Sequence, residues 1–237
     1  MLQKLLRVLF LLMTGAVMAH PDGDTVNCVD AQGLRQGYWL KKDERGMPVY
    51  KGHFRDGEPI GEFVYYYPDG KVQARSVFRE GSDLTETVTY HENGQKMAEG
   101  FYRNREKDST WRYFNKEGML ISVEKYNRCR EHGEWTTYYD DGQLAEVIHY
   151  NQGVKQGPWI QYYSGGAVRM EGAYSNGVKE GTFKYYYPGG EPSFRGSYRD
   201  SLREGKWVYF DKSGSIDKIE YYNEGYIYKT EEFDKVE

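Results

Sequence analysis

The sequence predicts an all-β protein, an elongated antiparallel meander of eight 24-residue β-hairpins. Three observations predict it. With Gly37 as position 1, a step of 24 residues brings glycine to position 10 in every unit: Gly46, Gly70, Gly94, Gly118, Gly142, Gly166, Gly190 and Gly214. The same step puts Phe or Tyr at position 18 in all eight units, from Phe54 to Tyr222. It also gathers all five tryptophans, Trp39, Trp111, Trp135, Trp159 and Trp207, at position 3. Self-similarity at such a period marks an array in which each unit buries its apolar face on a neighbour.

The elements follow in chain order. Residues 1–19, "MLQKLLRVLFLLMTGAVMA", open with Lys4 and Arg7, continue as an apolar run from Val8 to Val17, and end on small residues at Val17 and Ala19. That is the pattern of a secretory signal peptide cut before His20. The run is shorter than the ~20 residues a membrane span needs. No cysteine stands at the cut, so the lipoprotein pattern is absent. Residues 20–36 hold half a repeat and read as a cap: "CVDAQGLRQG" (28–37) matches "IHYNQGVKQG" (148–157) in its turn chemistry.

Residues 37–228 are the eight units. In "YPDGK" (67–71), proline suits the first central position of a type I turn, aspartate the second, and glycine the left-handed position that follows. The result is a three-residue hairpin loop with a bulge. A second turn falls near position 21, as in "SNGVKEG" (175–181). Two turns per unit leave two strands and no room for a helix. Residues 229–237, "KTEEFDKVE", form a charged C-terminal cap or tail. Caps at both ends shield sheet edges from pairing with other chains. The loop also predicts a register, with position 6 facing 12 and position 4 facing 14. Positions 4, 6, 12, 14 and 18 then share one face, and the position-3 tryptophans take the other unless a bulge at position 1 turns them over.

Composition narrows the function. Aromatic content of 16% argues against disorder although hydrophobic content is only 38%. Loss of Lys4 and Arg7 with the leader takes the net charge from −4 to −6, which disfavours nucleic acid and anionic lipid as partners. The five histidines, His20, His53, His91, His132 and His149, show no metal-ligand spacing, and no nucleophile or phosphate-loop motif is present. The expectation is a non-enzyme without metal or cofactor, exported to the periplasm or beyond. Cys28 and Cys129 lie eight strands apart, about 38 Å at the strand spacing. No intramolecular bridge is expected across that distance. Units three and four deviate, with Thr85 and Ser109 at position 1 and "NREKD" (104–108) in place of a glycine turn.

With these residues in view, "GEWTTYYDDGQLAEVIHYNQGVKQG" (133–157) resembles the repeat of bacterial MORN-repeat-variant proteins, and the resemblance runs from residue 28 to about 228. It implies a sheet of hairpins and a non-catalytic interaction role; some members are antitoxin-like, and eukaryotic MORN repeats are linked to phospholipid or protein contacts. Choline-binding and other cell-wall repeats are more loosely similar.

Two readings of the aromatics stay open. Trp111, Trp135 and Trp159 either fill the seam between hairpins or form an exposed ladder for a partner. The first is favoured for Trp135, with binding carried by tyrosines such as Tyr139, Tyr163 and Tyr187. The leading function is an exported scaffold that binds a protein partner in the cell envelope. The alternatives are a cell-wall glycan module and an antitoxin-like inhibitor.

Overall fold

A computed structural model describes residues 18–19 and 25–233. The predicted leader lies outside the described residues except for Met18 and Ala19, which pair with Val26 and Thr25. The last four residues of the expected tail also lie outside them. The chain divides into two compact units, Met1–Gly118 and Met119–Glu237.

No helix occurs among the described residues. In the first unit the long strands run Arg35–Lys42, Pro48–Arg55, Glu58–Tyr66, Val72–Phe78, Leu84–Tyr90, Lys96–Arg103 and Glu106–Phe114. In the second they run Leu120–Asn127, Gly133–Tyr138, Leu144–Asn151, Val154–Tyr162, Val168–Ser175, Gly181–Tyr186, Pro192–Arg199, Leu202–Phe210, Ile216–Asn223 and Tyr226–Glu232. Two-residue strands such as Arg130–Glu131 and Val178–Lys179 continue the pairing beyond a bulge. Within each unit, sequence neighbours pair antiparallel, as a meander of hairpins requires.

Both turns have identifiable causes. At the first, Tyr67 N–H donates to Lys71 O at 2.8 Å and Gly70 N–H to Tyr67 O at 2.9 Å. The position-10 glycines adopt φ between 82° and 96°, a region where a Cβ is penalised. At the second turn, positions 20 and 21 both have positive φ in seven repeats, as in Gln152 (51°) and Gly153 (87°), the signature of a type I′ hairpin; in the second repeat only Gly81 (71°) does. Arg105, Cys129 and Ser201 hold the second of these positions without being glycine, at φ of 69°, 67° and 66°.

The register differs from the predicted one. Tyr138 does pair with Leu144, position 6 with 12, but Thr137 pairs with Glu146, so position 5 rather than 4 faces 14. Ala145 is the extra residue, a bulge after the turn, and the same shift recurs in seven hairpins. A second, wider bulge sets Gln156, Gly157 and Pro158 opposite His149 alone. Positions 3, 5, 14, 16, 18 and 23 therefore share one face, and the tryptophans lie on the same side as the position-18 tyrosines.

That face holds the core. Position 16 is glycine at Gly52, Gly100, Gly172 and Gly196. A Cβ there would lie 2.5, 2.4, 2.2 and 2.2 Å from ring carbons of Phe63, Trp111, Phe183 and Trp207, the position-3 aromatics of the following repeats. Each ring lies flat on bare backbone and is at most 2% exposed. Where the residue beneath is Ser76, position 3 is Thr87, and their hydroxyls meet at 2.9 Å.

Candidate functional site

The residues singled out in the sequence fall into three environments. Tyr139, Tyr163 and Tyr187, at position 7, donate their hydroxyls to the carbonyls of Tyr162, Tyr186 and Phe210 at 2.6, 2.8 and 3.0 Å. Tyr67 does the same to Tyr90 O at 2.7 Å. Each tyrosine thus ties its own turn to the corresponding strand of the next repeat. Where position 7 is Asp43 or Asp211, the carboxylate instead accepts backbone N–H groups of its own turn.

Trp111 is fully buried, with its indole N–H donated to Phe101 O at 2.9 Å. Trp135 and Trp159 are partly exposed. Beneath Trp135 the pairings Ser122–Thr137 and Val123–Thr136 bring Glu124, and beneath Trp159 lies Ile148. Trp135 keeps the usual bond, Nε1–H to Lys125 O at 2.8 Å. Trp159 does not: over the branched Ile148 its Nε1–H goes to Glu146 Oε1 at 2.6 Å. Trp135 has Tyr126 and Tyr150 at ring distances of 5.2 and 4.9 Å, and Trp159 has Tyr174 at 5.1 Å. The face of the second unit thus carries a partly open run of five rings.

The sequence reading missed a row of charges on the same face. Position 23 faces the aromatic at position 18: Tyr150 pairs with Lys155, Tyr174 with Lys179 and Tyr198 with Arg203. Each cation lies over rings of the next repeat. Lys155 sits 5.0 Å from the Tyr174 ring, Lys179 5.2 Å from Tyr198, and Arg203 4.2 Å from Trp207. A basic residue recurring at one position of the 24-residue period was the available signal, hidden among the other turn charges.

The last full repeat closes this face with a polar cluster. Tyr209 and Tyr222 donate to Glu220 Oε2 at 2.6 and 2.8 Å, and Lys218 Nζ donates to Oε1 at 2.7 Å. Burial alone would raise the Glu220 carboxyl; the bonds from Lys218, Tyr209 and Tyr222 outweigh it and hold it at about 2. Burial and the bond to Glu220 push the Tyr209 phenol up. Arg203 Nη1 spans both hydroxyls, at 2.9 and 2.6 Å. Among the described residues no three His, Cys, Asp or Glu side chains are grouped to hold a metal ion. Cys28 and Cys129 are free thiols.

The family model described as "MORN repeat variant" matches residues 59–80, 86–104, 131–152, 179–200 and 203–224. Four of the five segments begin at position 23 and all end at position 20, so the family's unit coincides with the hairpin pair seen here. The period runs on through the repeats between them. No curated protein matches the chain. Solved structures of TcdB2-TccC3-TEV, TcdB2-TccC3 and TcdB2-TccC3-Cdc42 align at TM-scores of 0.24, 0.22 and 0.21, with 13%, 10% and 10% identity over 89%, 86% and 86% of this chain. The chain spans 13–14% of the length of those chains, and similarity this low carries no argument about fold or function.

Proposed function

We propose, from the premise that this chain is built of MORN repeat variants, that it is an exported, non-catalytic scaffold that binds a protein partner in the cell envelope. The observation that carries the reading is the partly open aromatic run Tyr126, Trp135, Tyr150, Trp159 and Tyr174 on the face of the second unit. A folded domain buries large rings where it can, and rings left partly in water on a rigid sheet offer contact area at low entropic cost. At position 3, Phe63, Trp111, Phe183 and Trp207 are buried, whereas Trp135 and Trp159 keep part of their area in water. Export is supported by the leader-like pattern of residues 1–19.

The test is in-cell crosslinking of the tagged protein, followed by the double variant Trp135→Ala, Trp159→Ala. The expected result is one envelope protein captured by the parent and lost by a variant that keeps its β-sheet circular dichroism. Undiminished capture by the folded variant would refute this face. Binding to soluble cell-wall glycan with no captured protein would favour the carbohydrate alternative. Mass spectrometry of the mature N-terminus checks the export step, with His20 expected as the first residue.

A further inference from the structure

Two bulges of adjacent hairpins meet in one cleft of the second unit. Gln161 pairs with Met170 and Tyr162 with Val168, which leaves Arg169 unpaired between them. In the next hairpin Tyr185 pairs with Phe194 and Tyr186 with Pro192, which leaves Ser193. A bulge re-aims the side chain it frees. Arg169 and Ser193 both line a cleft of about 360 Å³, with Tyr163, Tyr185, Tyr187 and Phe194 among its walls. No other repeat has a basic residue at position 13. Arg169 is exposed, and among the described residues it has no hydrogen bond, ion pair or ring contact. Other cations of the unit are committed: Lys184 lies 3.7 Å from Glu171, Arg199 3.2 Å from Glu204 and Lys218 2.7 Å from Glu220. The Ser193 hydroxyl is likewise without a partner among the described residues. The walls favour the same sign of ligand. Phe194 is stacked between Tyr185 and Tyr209, at ring distances of 4.1 and 5.5 Å and interplanar angles of 17° and 26°. Both its faces are taken, so it offers the cleft its edge, where the ring hydrogens carry partial positive charge.

We propose that this cleft receives an aspartate or glutamate side chain of the partner protein, held by the Arg169 guanidinium and the Ser193 hydroxyl. A guanidinium matches a carboxylate through two parallel N–H···O bonds, and the hydroxyl supplies a further donor. An exposed arginine is ordinarily no more than solvated. What sets Arg169 apart is the bulge that aims it and the second free donor in the same cleft. A sugar ring would stack on aromatic faces, and those of Phe194 are covered. One arginine in a chain of net charge −4 makes no basic patch for an anionic lipid surface. The volume is at the small end for a ligand pocket and suits one side chain. Tyr185 and Phe194, at positions 5 and 14, lie on the same face as the open aromatic run. The inference rests on the scaffold reading above and adds the chemistry of the partner's contact.

The probe is tri-glutamate blocked at both ends, titrated into the full-length mature protein and followed by nuclear magnetic resonance, with blocked tri-glutamine as the uncharged comparison. The Arg169 Nε–H and the Ser193 amide are expected to shift saturably with tri-glutamate and not with tri-glutamine. Arg169→Gln removes an exposed side chain without contacts, so the fold should be kept, and binding should weaken about tenfold or more. Lys206→Gln makes the same charge change on the opposite face and should alter binding by no more than about twofold. Glucuronate carries the carboxylate on a sugar and should bind more weakly than tri-glutamate. No saturable shift in the parent, an equal response to tri-glutamine, or equal weakening by Arg169→Gln and Lys206→Gln would overturn the proposal. Tighter binding of glucuronate would overturn the protein side chain as the source of the carboxylate. If the parent ignores tri-glutamate while Trp135→Ala, Trp159→Ala still loses the captured envelope protein, the carboxylate site falls and the scaffold reading stands.

Discussion

Trp207 and Trp135 occupy the same position of two repeats and differ in what lies beneath them. Both donate the indole N–H to the same carbonyl of the preceding strand, Ser197 O at 3.2 Å and Lys125 O at 2.8 Å. Polar anchoring is therefore equal. Trp207 rests on Gly196, has Tyr198 and Tyr222 at 5.1 and 6.1 Å, and is 0% exposed. Trp135 stands over Glu124 and remains partly exposed. A side chain on the neighbouring strand separates a fully buried ring from a partly exposed one. A single-layer sheet can bury a ring only by laying it flat on backbone and closing neighbours around it, so position 16 decides which aromatics are structural.

The largest expected effect tests this directly. Trp207→Ala should cost about 3–5 kcal/mol, the range for a fully buried aromatic. Trp135→Ala should cost less than that, because part of its area is already in water. Urea denaturation of the two variants measures both. Equal losses would break the comparison and return Trp135 to the seam between hairpins, where the sequence reading placed it.

Next comes a dependence on pH. Glu220, like Glu124, is a carboxylate at position 16, but it is 8% exposed and held by two tyrosines and a lysine. Its folded pKa of about 2 lies below the ordinary 4.5. The stability it contributes is present above 4.5 and is lost as pH falls through about 2. Its size is at most about 3 kcal/mol. Denaturation midpoints for the parent should fall between pH 4.5 and 2 by more than those of Glu220→Gln. Parallel curves would show that the cluster is not linked to folding.

The glycines come third. Gly196→Ala puts a Cβ 2.2 Å from the Trp207 ring and should cost about 1–3 kcal/mol by overpacking. Gly142→Val should cost a similar amount for a different reason. Nothing lies within 4 Å of its added Cβ, and the cost is the φ of 82°. Thermal melts of the two should agree in size, while near-ultraviolet circular dichroism should change only for Gly196→Ala, whose ring moves.

These two glycines show what could be read in the sequence and what could not. Position 10 was legible because turn chemistry is local: Pro-Asp-Gly and Asn-Gly name their own backbone, and eight copies fixed the period. Strand count and hairpin order followed. The face assignment failed at position 13, because an unpaired Ala145 carries no signature and a one-residue slip flips everything beyond it. Position 16 was missed because only Gly52, Gly100, Gly172 and Gly196 hold the glycine, and its purpose depends on a ring in the next repeat. Tyr139, Tyr163 and Tyr187 were visible as a row. Their bonds to the next repeat's carbonyls, 23 residues away in each case, depend on a repeat spacing that only the fold supplies.

The smallest expected effect is the most specific. Glu124→Gly converts the site beneath Trp135 into the one beneath Trp207. Two terms oppose each other. The ring gains apolar burial, worth about 1–2 kcal/mol if it settles as Trp207 does. The strand loses about 0.5–1 kcal/mol through the added backbone freedom of glycine, and the Tyr126 hydroxyl loses its acceptor. The net change in stability should be within about 1 kcal/mol of zero, so a melt alone would say little. Fluorescence decides it. The difference spectrum between each protein and its own Trp135→Phe variant isolates the Trp135 emission, which should shift to shorter wavelength in Glu124→Gly as water leaves the ring. An unshifted emission would mean that Glu124 is not what holds Trp135 off the backbone, and that the exposure of this repeat is set by Glu131 and the turn beside it.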